Sequence, residues 1–158
     1  MKTASVSEIK RELGDRSTKE LKDTILRLAR FKKENKELLT YVLFESADEN
    51  TYIESVKQEI NSMFDEINTT SYYYIKKSVR KILRHTKTRI RYSLNKQTEV
   101  ELLLWFCLKL ASFKPSIRNN IALENILLKQ LQGIRKTMPK LHEDLRYDYD
   151  KILQSIKY

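Results

Sequence analysis

Glycine and proline are nearly absent: the 158 residues hold two of each, Gly14 and Gly133, Pro115 and Pro139. Strands, tight hairpins and long loops consume both residues, so a chain this poor in them predicts an all-α protein of long helices joined by short turns. The length suffices for one domain with a real core and is short for two. We therefore expect a single-domain antiparallel helical bundle of six or seven helices, in which the N-terminal helix-turn-helix at about 5–31 is semi-independent.

Apolar residues at three- and four-residue spacing place the helices. Ser7 is placed to cap a short helix "EIKREL", and Gly14 to end it in a left-handed conformation. Ser17 and Glu20 have capping-box spacing and open a helix near 18–45, bent or broken in the charged "KKENK" around Lys32 to Lys36. A third helix, about 50–67, carries the stripe Ile53, Val56, Ile60, Met63 or Phe64, and Ile67, and a fourth, about 72–94, the stripe Ile75, Val79, Ile82, Leu83, Ile90 and Leu94. Its end, "TRIRYSL", also alternates as a strand would. Thr98 and Glu101 have capping-box spacing before a fifth helix running to about Phe113. A sixth runs from about Asn119 to Lys136, and Pro139 suits the first turn of a last one.

The fourth helix carries the charge. Residues 76–91, "KKSVRKILRHTKTRIR", hold eight Lys and Arg and no acid. From Ile67 to Thr98 there are nine basic residues and no acidic one, while the rest of the chain has twenty-two against twenty-one, so nearly all the net charge of +10 lies here. On a wheel of about 100° per residue, Lys76, Lys77, Arg80, Lys81, Arg84, Lys87 and Arg91 share the arc opposite the apolar stripe. Such a face repels itself and is relieved by a polyanion, so Lys77, Arg80, Lys81, Arg84, Lys87 and Arg91 are the candidate phosphate contacts, with Lys76 and Arg89 assisting from the edges. RNA or DNA is the first partner expected. An acidic protein fits the same face by charge complementarity. The preceding segment supplies an internal competitor, since Glu45 to Glu66 contains seven acidic residues against Lys57 alone. Tyr72, Tyr73 and Tyr74 open the helix, where packing against a neighbour is favoured over stacking on bases.

The helix "EVELLLWFCLKL" is apolar on almost every side, which makes it central or places it at a homo-oligomer interface through Leu102, Trp105 and Phe106. Glu101 within it needs a Lys or Arg partner if ionised. Cys107, the only cysteine, sits in this apolar run as an inert thiol, consistent with a reducing compartment, and the cytoplasm is expected. "MKTASVSEIKREL" lacks the apolar core of a secretory signal, and "VELLLWFCLKLA" is too short to span a bilayer, so neither export nor a membrane span is expected. The cluster "HEDLRYDYD", residues 142–150, puts Arg146 rather than a carboxylate four residues after His142, which is poor spacing for a metal. No metal, cofactor or catalytic residue is expected, because there is no phosphate-cradling glycine loop and no nucleophile beside a base.

In "SVSEIKRELGDRSTKELKDTILRLAR" the segments "EIKREL" and "KDTILRL" resemble in outline the two helices of a SAP-type nucleic-acid-binding motif. That resemblance implies nucleic-acid binding near residues 5–30. Through "RLARFKKENKELLTYVLFES" and "KQTEVELLLWFCLKL" the chain also looks similar to small all-helical bacterial proteins of unassigned function, which implies a fold and no activity.

Overall fold

The computed structural model describes residues 1–157, and all the regular structure in them is helical. The chain divides into two compact units, Met1–Phe44 and Glu45–Tyr158.

The first unit holds α1 (Val6–Gly14), α2 (Thr18–Phe31) and α3 (Lys33–Thr40). Ser5 rather than Ser7 caps α1: its hydroxyl accepts from the Glu8 amide at 3.3 Å while the Glu8 carboxylate accepts from the Ser5 amide at 2.7 Å. Glu8 stands three residues after Ser5, whereas Lys10 stands three after Ser7, so only Ser5 can complete a reciprocal pair. Ser17 and Glu20 close the expected box on α2. Gly14 is the last residue of α1 and has no positive φ. The helix expected over 18–45 breaks at Lys32, whose extended backbone (φ −141°, ψ 143°) separates α2 from α3. The Asn35 side-chain amide donates across the break to the Leu28 carbonyl at 2.8 Å. With this break the described residues hold eight α-helices where six or seven were expected.

The second unit contains α4 (Glu49–Asp65), α5 (Tyr72–Ser93), α6 (Lys96–Ala111), α7 (Ile121–Thr137) and α8 (Glu143–Ser155). Short 3-10 turns at Ile117–Asn119 and Met138–Lys140 precede α7 and α8. The centre is α6, which packs against α4, α5, α7 and α8. A helix surrounded this way must be apolar all round, and Val100, Leu102, Leu103, Leu104, Phe106, Cys107 and Leu110 are buried on it. Around it α4 contributes Ile53, Val56, Ile60 and Phe64, and α7 contributes Leu123, Leu127, Leu131 and Ile134. The Phe64 ring tilts against Phe106 at 5.8 Å and Phe113 at 6.0 Å between centroids. Each such side chain contributes roughly 1.5–3 kcal/mol on burial, which is what holds the helices together.

Two helices start elsewhere than expected. Asn95 caps α6, its side-chain oxygen accepting from the Gln97 amide at 2.8 Å. Thr98 is buried inside the first turn and donates, with Ser93, to the Glu49 carboxylate. Glu101, its expected partner, instead accepts from Lys57 at 2.7 Å and from the Tyr149 hydroxyl at 2.8 Å. The need for a basic partner at Glu101 is thereby met. Pro139 lies in the turn before α8, which His142 caps.

Candidate nucleic-acid interface

The length and two-faced character of α5 come from its sequence. The apolar stripe Ile75, Val79 and Ile82 is buried, and Thr86 continues it with its hydroxyl returned to the Ile82 carbonyl at 2.9 Å, so no polar atom is left unsatisfied there. "TRIRYSL" is helical up to Ser93, and Leu94 then ends the helix in the left-handed region (φ 56°). A non-glycine residue is uncommon there. Asn95 follows as the cap of α6, so the turn between the two helices is short.

On the opposite side Lys77, Arg80, Lys81, Arg84, Lys87 and Arg91 are all exposed, and Lys76 is half-buried at the rim. From Lys77 to Arg91 the row is about 21 Å long at about 1.5 Å per residue. Among the described residues no carboxylate comes within ion-pair distance of any of these seven cations. An open groove runs along the first half of the row, lined by Tyr73, Lys76, Lys77, Arg80, Lys81 and Arg84. A second concavity lies at the far end, lined by Lys87, Ile90, Arg91, Leu94, Lys96 and Glu99 among others.

Arg89 belongs to a different face. It stands two positions before Arg91, so it points about 160° away, toward α4. There its Nε lies 3.1 Å from the Glu59 carboxylate, its side chain is 16% exposed, and its guanidinium sits 5.7 Å from the Tyr92 ring. Glu59 also meets His85 Nε2 at 2.7 Å. The His85 hydrogen bond, reinforced by the Arg89 charge and opposed by partial burial, holds the Glu59 carboxyl below its ordinary range. Tyr52 adds a hydrogen bond to the Arg89 carbonyl at 2.9 Å. The acidic helix thus engages the flank of α5 through Glu59 and Glu49, and the row itself stays open. Arg89 is a packing residue here, not an edge contact.

Two features of this surface escape a reading of the basic stretch alone. Tyr73 stands eighteen residues before Arg91, about five helical turns, and so shares its direction. Lys96 lies beyond the end of α5, brought to the second concavity by the Leu94 turn, and it pairs with Glu99 at 3.1 Å.

The apolar helix resolves as core. Leu102 and Phe106 have no exposed surface, which corrects their assignment as interface residues: within this unit four neighbouring helices already cover them. Trp105 is half-buried, with its indole N–H donating to the Asn61 side chain at 3.1 Å and Lys57 Nζ at 5.4 Å from the ring. Burial alone pushes the Cys107 thiol up to about 12. It should therefore resist alkylation by a thiol reagent at neutral pH in the folded chain and react fully in denaturant; rapid labelling of the native protein would contradict its placement.

Among the described residues no group of three or more His, Cys, Asp or Glu is arranged to hold a metal ion. None of their helices is long and apolar enough to cross a membrane. Comparison of the chain with protein-family models, with curated proteins and with solved structures finds no match.

Proposed function

We propose that this protein binds RNA or DNA without transforming it, through the exposed basic row of α5. One observation carries the reading: six exposed cations stand along one helix face with no carboxylate among the described residues to neutralise them. A rigid helix presents them at fixed pitch, so neighbouring phosphates can be met without reordering the backbone, and release of the counterions condensed on the nucleic acid drives the association. Lys77, Arg80, Lys81, Arg84, Lys87 and Arg91 make the contacts, Lys76 assists from the rim, and Arg89 is left out because Glu59 holds it. We read α4 to α8 as an antiparallel bundle whose task is to hold this face straight. The SAP-like pattern near residues 5–30 lends support of the same kind, since it too implies nucleic acid.

The test is a fluorescence anisotropy titration of labelled single-stranded RNA and duplex DNA at about 50 mM salt, where contacts to phosphates are strongest. Saturable binding of either supports the reading. Absence of binding to both contradicts it and turns the face toward an acidic protein partner.

A further inference from the structure

We infer that the nucleic acid this face takes is single-stranded, its unpaired bases stacking on Tyr73 while the cations of α5 follow its backbone; this rests on the nucleic-acid reading above and narrows it.

The three tyrosines that open α5 do not share one fate. Tyr72 packs as expected at a helix start, its hydroxyl donating to the Ser116 carbonyl at 2.8 Å. Tyr73 is 67% exposed and Tyr74 46% exposed, so neither ring serves the core. Their rings meet edge to face, 5.4 Å apart at 78°, which restrains both and leaves most of Tyr73 open to solvent. A restrained ring loses less freedom when a second ring settles on it than a mobile one would.

Position adds the second observation. Tyr73 lines the same groove as Lys77, Arg80 and Arg84, at the head of the row. Lys77 follows one turn later, about 5–6 Å along the axis. A nucleotide whose base covers Tyr73 can therefore set an adjoining phosphate against Lys76 or Lys77, and the strand then continues past Arg80 and Arg84. An aromatic platform leading into a cationic track is how single strands are held without sequence preference, because every base has a flat face. In a duplex the bases are already paired and stacked. A duplex can touch the cations but gains nothing from the ring.

Four labelled 20-residue probes test this at about 50 mM salt: a uridine-rich single-stranded RNA, a thymidine single strand, an abasic single strand and a duplex. The full-length chain should prefer the two base-bearing strands to the abasic one. Tyr73→Ala should weaken binding of those two by about fivefold or more, the lower end of what one base stack contributes. Binding of the abasic strand and the duplex should not change, and Tyr73→Phe should bind as the parent does. A loss confined to RNA or to DNA still supports stacking and names the sugar. Equal binding of abasic and base-bearing strands by the parent overturns the inference, as does an equal loss on duplex and single strand in Tyr73→Ala. Failure of all four probes to bind would overturn the nucleic-acid reading itself, so the two failures are distinct. Circular dichroism confirms that removing an exposed ring leaves the helices intact.

Discussion

Reversing Arg80 and Arg84 to Glu together should lower affinity for single-stranded RNA and duplex DNA by about 100-fold at about 50 mM salt, with the helical circular dichroism unchanged. The two residues occupy the middle of the row and line the same groove. Each reversal removes one phosphate contact and sets a like charge against the backbone, a change of about 1.4 kcal/mol, or tenfold, per site. Neither guanidinium has a carboxylate partner among the described residues, so folding loses no ion pair and the new acids reduce the crowding of like charge. An affinity within twofold of the parent would show that binding, if present, lies elsewhere. Arg89→Ala provides the contrast, because it disturbs the Glu59 contact and Tyr92 packing and leaves the row complete.

Phe106→Ala should cost about 3–5 kcal/mol of stability, read as a lower urea midpoint with no change in oligomeric state. The ring has no exposed surface and packs against Phe64. Truncation removes its transfer free energy and leaves a cavity that four surrounding helices cannot collapse into without losing contacts of their own. Because a domain of this size is stable by about 5–15 kcal/mol, the loss is a large fraction of the whole. If Phe106 faced a second copy of the chain, the substitution would dissociate an oligomer and spare the urea midpoint. That outcome would contradict its place in the core.

The sequence is legible where physics is local. Scarcity of glycine and proline announces helices, and because a single face of each is buried the stripe of α4 survives, while that of α5 survives at Ile75, Val79 and Ile82 and fails at Leu94, which lies exposed in the turn that ends the helix. The basic row is legible for the same reason, since seven of its residues fall on one arc of the wheel. Arg89 was within reach of that wheel too: two residues from Arg91, it could not share the face. Tertiary partners account for much of what was not legible. Thr98 and Glu101 have the spacing of a cap, yet Glu49 takes the Thr98 hydroxyl, and Lys57 and Tyr149 take the Glu101 carboxylate. Residues on three elements cannot be paired from the order of the chain. The Lys32 break is local but carries no glycine or proline to announce it, and only the charge of "KKENK" pointed there. The openness of Tyr73 was equally hidden, because a tyrosine at a helix start packs or projects according to what lies beside it, and here Tyr72 takes the packed position.

The most direct measurement is the salt dependence of affinity for a labelled single-stranded RNA. Six phosphate contacts predict a slope of log affinity against log salt near −4, at about −0.7 per contact on a single strand, and so a loss of about 300-fold between about 50 and 200 mM. In the Arg80→Glu, Arg84→Glu variant the slope should be shallower by about 1.4, two contacts being gone. A steep slope that the double reversal flattens is the result this account predicts. Binding that ignores salt, or no binding at the lowest salt, would contradict it.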